Sequence, residues 1–139
     1  MAWFPPPPQY GPLSEGITVN HIEMGRQGEG EAVRYLQANG YRILHRNLRA
    51  RFGEIDVVAR DGPALCFVEI KARSSTRFGF PEEAVTALKR RKLLKLAAWY
   101  LQSRRPAGHS HIRFDVLSLL NGPEGPARIR LIKGAFEAA

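Results

Sequence analysis

The chain has 139 residues, 44% of them hydrophobic, and a formal net charge of +8. This length suits one domain with a buried core, and the surplus of Lys and Arg favours a polyanionic partner, either nucleic acid or an acidic membrane surface. The lone cysteine, Cys66, excludes an internal disulfide and a cysteine-based zinc site, and no apolar segment is long enough to cross a membrane.

The first 20 residues are rich in proline and show no periodicity. Their four consecutive prolines favour polyproline II, which has no backbone donors with which to build a sheet. We predict that residues 1–20 form a disordered tail and that residues 21–139 form a single domain. Since the N-terminus lacks the charged-then-apolar order of a secretory signal, we expect a cytoplasmic protein.

The domain is predicted to begin with a helix and three strands. Ala32, Val33 and Leu36 recur at helical spacing, and Asn39-Gly40 then ends the helix. The strands are predicted at "YRILHRNLRA", "GEIDVVAR" and "ALCFVEIKAR". The "DGP" turn and the short spacing indicate that these strands are antiparallel.

A second helix is predicted within "FGFPEEAVTALKRRKLLKLAAWYLQSRR". Pro81 followed by two glutamates is typical of a helix start, because negative charge there suits the helix dipole. The residues expected to form its core-facing stripe are Val85, Leu88, Leu93, Leu96, Ala97 and Tyr100. Strands at "HIRFDVLSLL" and "ARIRLIKGA" complete the order α-β-β-β-α-β-β.

Charged side chains stand inside the two strands of the central hairpin. Alternation places Asp56 and Glu69 where they share one side of the sheet, and Lys71 points the same way. Two partly desolvated carboxylates repel each other, and a divalent cation such as Mg²⁺ or Mn²⁺ relieves this. Lys71 would then orient or deprotonate water, or offset phosphate charge. The alternative is an ion pair with Lys71 or Arg73.

The same residues carry a family resemblance. Asp56 with Glu69-Ile70-Lys71, after a helix that contains a glutamate, resembles the PD-(D/E)XK nuclease superfamily. The stretches "GRQGEGEAVRYLQANGYRIL", "RNLRARFGEIDVVARDG", "FVEIKARSSTRFGFPEEAV" and "RFDV" are similar to the YraN-like family of small bacterial proteins. The resemblance covers about residues 24–134. It implies an α/β fold with a restriction-endonuclease-like α-β-β-β-α-β core, in which helices flank a mixed central sheet.

The resemblance also implies roles for these residues. Asp56, Glu69 and the carbonyl of Ile70 would bind the metal, and Lys71 would serve the water or the phosphate. Glu29 matches the helix glutamate of Holliday-junction resolvases in the same superfamily and would act beside Lys71 in catalysis.

Other charged residues leave alternatives open. Glu29 lies on the core-facing side of its helix, whereas Glu31 falls off that stripe; Glu29 could instead stabilise the helix dipole. Glu54 is an additional carboxylate, which could bind the metal itself or support the residues that do. Ile55 stands where the superfamily name has proline. Asp115 is expected either to pair with a cation or to support the site from the next strand.

Basic residues are expected to follow the phosphates of a nucleic acid, although a solvated charged face would look the same. The predicted contacts are Arg46, Arg49, Arg51, Arg73, Arg77, Lys89, Arg91 and Lys95.

Two functions are therefore expected. The first is a Mg²⁺- or Mn²⁺-dependent nuclease that hydrolyses phosphodiester bonds in DNA, with branched or flapped DNA as a candidate substrate. The alternative is a non-catalytic nucleic-acid-binding protein of nuclease fold that acts with a DNA-processing partner. No membrane partner is expected, and a homodimer is considered by analogy with nucleases that cut branched DNA.

Overall fold

A computed structural model describes residues 11–12, 24–51, 53–73, 85–120 and 128–136, without the side chains of 11–12, 24–29 and 73. The elements in chain order are β1 Gly11–Pro12, α1 Met24–Ala38, β2 Arg42–Ala50, β3 Gly53–Asp61, β4 Ala64–Arg73, α2 Ala87–Arg104, β5 His111–Leu120 and β6 Arg128–Phe136. From α1 onward this is the predicted order. Arg77 and Pro81 lie outside the described residues, and so does the predicted tail apart from residues 11–12.

The strands form one mixed sheet in the order β1-β6-β5-β4-β3-β2. β2, β3 and β4 are antiparallel neighbours, as the hairpin spacing predicted, and Gly62 makes their second turn with a φ of 58°. β4 and β5 are parallel, which requires the crossover that contains α2. β5 and β6 are antiparallel again. The two-residue strand β1 pairs with β6, inside the segment that we expected to be a tail.

Each face of the sheet is covered by one helix. Ala32, Val33 and Leu36 of α1 pack with Cys66 and Val68, so the thiol is a buried core group. On the other face, α2 packs against Leu65, Phe67 and Phe114 among others. Alternation along β4 thus separates two apolar layers, and the predicted α/β core with flanking helices is confirmed.

Three details of the helices differ from prediction. α2 begins at Ala87, where the Thr86 side chain accepts the Lys89 N–H at 3.3 Å, so the capping threonine rather than Pro81 marks its start. Leu88, which was predicted to face the core, is 57% exposed. Glu31 of α1 is buried and pairs with Arg34, although it was predicted to lie off the core-facing stripe.

α1 ends close to the predicted point. Gly40 has a φ of 90°, a conformation that favours glycine, and the N–H of Tyr41 donates to the Leu36 carbonyl at 3.0 Å. The chain then turns directly into β2, which forms one edge of the sheet. Of the helices in the described part of the chain, neither is long and apolar enough to span a membrane.

Candidate metal and nucleic-acid site

The candidate site lies where β3 and β4 separate. Their pairing begins at Val57 and Val68, and Asp56 is the residue just before it. The Asp56 carboxylate accepts the backbone N–H of Ile70 through Oδ2 at 2.8 Å. A side chain therefore replaces the next ladder bond and holds the two strands together at the point of separation.

The first residues of β3 depart from the predicted alternation. Strict alternation would place Ile55 on the same face as Val57 and Ala59, but Ile55 belongs to the apolar cluster beneath α2. Because pairing with β4 starts only at Val57, the preceding residues are not held in its register. This irregular stretch contains Asp56.

Asp56 and Glu69 line the same pocket, as the hairpin pattern predicted. The pocket has a volume of about 280 Å³ and lies between the opening of the hairpin and the first turns of α2. Its lining residues are Gly53, Glu54, Asp56, Glu69, Thr86, Leu88, Lys89, Lys92 and Leu93. Three carboxylates and two lysines thus face one cavity.

Glu69 is a buried carboxylate of this pocket that lies close to two lysine side chains. It is only 4% exposed, and its Oε1 lies 2.6 Å from the Lys89 Nζ and 3.5 Å from the Lys71 Nζ. Burial and the neighbouring Lys89 hold the pKa of Lys71 below its ordinary value, against the attraction of Glu69. Burial alone would lower the pKa of Lys89, but its interactions with Glu69, Lys71 and Asp56 together outweigh that effect and raise the pKa.

The donor set fits a hard cation in part. Asp56, Glu69 and the Ile70 carbonyl offer only oxygen, and Mg²⁺ commonly takes one or two carboxylates with waters and substrate phosphate. The ammonium of Lys89 already occupies a cation position on Glu69. Within the described residues, no group of three or more His, Cys, Asp or Glu side chains could hold a metal ion. Glu29 lies in α1, which covers the opposite face of the sheet from α2, and its side chain is not among the described ones.

The predicted phosphate contacts are distributed over several elements. Arg46, Arg49 and Arg51 are exposed at β2 and just after it, and Arg49 pairs with Glu54 at 3.0 Å. Arg91 and Lys95 are exposed on α2. Lys89 lines the pocket, whereas the sequence analysis predicted it only as one of the surface contacts to phosphate.

Sequence reasoning missed the contact between Lys89 and Glu69. Lys89 lies four residues before Leu93, so it continues the buried stripe by one turn, whereas Leu88 lies about 140° around the helix from Leu93. Helical spacing could therefore have shown that Lys89 faces the sheet. We instead assigned the inward position to the apolar neighbour.

A second buried polar cluster lies on the α1 side of the sheet. Asp115 accepts the Tyr41 hydroxyl at 2.7 Å, Arg113 Nε at 2.8 Å and the Gly134 N–H at 2.9 Å. Of the two roles considered for Asp115, the structure shows the pairing with a cation. Burial, and next the Asp115 charge, raise the pKa of Tyr41.

Comparison with known proteins identifies relatives over most of the chain. Residues 28–119 match the uncharacterised protein family UPF0102. A UPF0102 protein of Symbiobacterium thermophilum is 50% identical over 115 residues, covering 83% of this chain and 97% of the relative. A UPF0102 protein of Syntrophus aciditrophicus is 46% identical over 121 residues, covering 87% and 94%. The matched segment contains every residue that lines the pocket.

Proposed function

The chain belongs to the uncharacterised protein family UPF0102, the YraN-like group, and we propose that it is a metal-dependent nuclease of the PD-(D/E)XK type acting on DNA in the cytoplasm. One observation carries the proposal. Asp56, Glu69 and Lys89 line a single pocket at the opening of the central hairpin, and the Lys71 Nζ lies 3.5 Å from Glu69 Oε1. Carboxylates that share a cleft with cations are a common constellation for phosphodiester hydrolysis.

Each residue has a chemical task in this proposal. Asp56, Glu69 and the Ile70 carbonyl would hold Mg²⁺ or Mn²⁺, which would supply Lewis acidity toward a phosphoryl oxygen. The Lys71 Nζ lies 3.5 Å from Glu69, and burial lowers its pKa, which suits a group that holds or accepts the proton of the attacking water. Glu29 is proposed as a further acidic group at this site.

Nucleic acid is the proposed substrate because of charge. The chain carries a net charge of +8, and exposed arginines and lysines lie on β2 and α2. Phosphate contacts of this kind supply affinity that falls steeply with salt. DNA, including branched or flapped forms, is the proposed substrate class, and a second copy of the chain and a DNA-processing protein remain proposed partners.

A non-catalytic nucleic-acid-binding role is the second candidate, and one observation favours it. Lys89 at 2.6 Å already balances the charge of Glu69, so the buried carboxylate is compensated without a metal. In that case Asp56 would bind no metal and would have a structural role, which includes accepting the Ile70 N–H.

The test is cleavage of labelled single-stranded, duplex, flap and four-way-junction DNA with Mg²⁺ or Mn²⁺. We expect metal-dependent cleavage by the wild type, no cleavage by Lys71→Ala, and retained cleavage by Lys133→Ala, whose lysine on β6 contacts Asp61 instead. The opposite result would be salt-dependent binding by all three proteins with no cleavage. That result would replace the nuclease with the binding role.

A further inference from the structure

Lys89 occupies a position that its helix does not favour. It is the third residue of α2 after the Thr86 cap, where an acidic or amide side chain is preferred and where a positive charge opposes the helix dipole. The adjacent Leu88 is 57% exposed while Lys89 is turned toward the sheet. The first turn of α2 therefore exposes an apolar residue and directs a cation inward. Such an inversion of the usual pattern is expected at functional positions.

The target of Lys89 is a single oxygen. Oε1 of Glu69 is 2.6 Å from Lys89 and 3.5 Å from Lys71. Under the proposed function, this carboxylate is also a ligand of the metal. A divalent cation and an ammonium repel each other at such distances, so they compete for the carboxylate. Lys71 is fixed on β4 next to Glu69, whereas Lys89 reaches the site from the end of a helix.

We propose that the Lys89 ammonium neutralises Glu69 in the free protein. When this ammonium binds a substrate phosphate instead, Glu69 becomes available to the metal. The inference rests on the proposed function and adds to it a coupling between metal binding and nucleic-acid binding. Lys89 lowers the affinity for metal in the absence of nucleic acid. Since a polyanion draws Lys89 away from Glu69, nucleic acid and metal bind with positive cooperativity, and linkage makes this coupling reciprocal.

The first measurement is Mn²⁺ affinity by titration calorimetry, without nucleic acid. We expect Lys89→Met to bind Mn²⁺ at least about fivefold more tightly than the wild type, which is the lower end of ordinary coupling between sites. Lys92→Met is the matched control, because Lys92 lines the same pocket from the same helix without a described bond to Glu69. It should change the affinity less than about twofold.

The second measurement repeats the titration with a phosphorothioate duplex, which keeps the backbone charge and resists cleavage. The duplex should tighten Mn²⁺ binding to the wild type and have a smaller effect on Lys89→Met. Lys89→Arg, which keeps the charge, should resemble the wild type. Circular dichroism checks that each variant is folded, and Lys89→Gln replaces Lys89→Met if that variant is not.

The outcomes separate the two proposals. Equal Mn²⁺ affinity of the wild type and Lys89→Met would overturn the competition while leaving the nuclease proposal intact. No Mn²⁺ binding by the wild type, Lys89→Met or Lys89→Gln would overturn the metal site itself, and the proposed function with it.

Discussion

The Asp56 carboxylate accepts the backbone N–H of Ile70 at 2.8 Å, across the point where β3 and β4 separate. The bond fixes the proposed metal ligand to the strand that carries Glu69 and Lys71. It also gives Asp56 a structural role, because the Ile70 N–H has left the ladder with β3. Stability and chemistry at this residue can therefore be separated by substitution.

We predict that Asp56→Asn and Asp56→Ala differ in stability but not in cleavage. The asparagine carbonyl can still accept the Ile70 N–H, so Asp56→Asn should lose at most about 1 kcal/mol of unfolding free energy. Asp56→Ala leaves that N–H without its charged acceptor and should lose about 1.5–3 kcal/mol. Both should abolish metal-dependent cleavage. Urea unfolding and the DNA panel measure the two effects; equal losses of stability would argue against the structural role.

The Cys66 thiol should be unreactive in the folded protein. It is fully buried, and burial, followed by the charge of Asp115, raises its pKa to about 12. Since the thiolate is the nucleophile, almost none is present at pH 8. We expect a chromogenic disulfide reagent to report no thiol over an hour under native conditions and one per chain in guanidinium. Cys66→Ala supplies the background, and rapid reaction of the folded protein would contradict the burial.

Removing the hydroxyl of Tyr41 should destabilise the protein. Tyr41 donates to Asp115, which is 1% exposed, at 2.7 Å. Because a bond to a buried carboxylate is lost, Tyr41→Phe should reduce the free energy of unfolding by about 1.5–3 kcal/mol. Tyr35→Phe, at a half-buried tyrosine of α1, should change it by at most about 0.5 kcal/mol. Similar values for both variants would show that the Tyr41–Asp115 bond contributes little.

Asp61 should contribute to the free energy of unfolding at neutral pH and lose this contribution at acid pH. Its bond to Arg113, at 2.7 Å, and the nearby Lys133 lower its pKa in the folded state. A lowered folded pKa contributes stability above the unfolded value of about 3.9, and this contribution is lost as the pH falls through the folded pKa. The difference in unfolding free energy between wild type and Asp61→Asn should therefore be larger at pH 6 than at pH 3. A difference independent of pH would contradict the assignment.

Local pattern was sufficient to predict most of the fold. The strand "HIRFDVLSLL" coincides with β5, and alternation along β4 correctly separated Glu69 from Cys66 and Val68. These features depend on side-chain periodicity within one element. The turn after Asp61 and the end of α1 were also predictable, because glycine there adopts positive φ.

The remaining features depend on how elements meet. The pairing of β4 with β5 and the rotation of α2 about its axis decide that Lys89, not Leu88, faces Glu69. The burial of Glu31 likewise depends on what packs against α1. The bond between Asp56 and Ile70 arises because β3 and β4 separate, and a regular hairpin pattern does not predict where pairing stops.

The edge position of β2 has a consequence for handling the protein. Within the described sheet its outer side has no neighbouring strand, and exposed Arg42, Arg46 and Arg49 lie along it. Charges of one sign keep two such edges from pairing. Variants that neutralise these arginines to weaken DNA binding should therefore also aggregate more readily, and high salt should have the same effect on the wild type. The guanidinium groups that we expect to contact phosphate are thus also expected to prevent edge-to-edge pairing of β2.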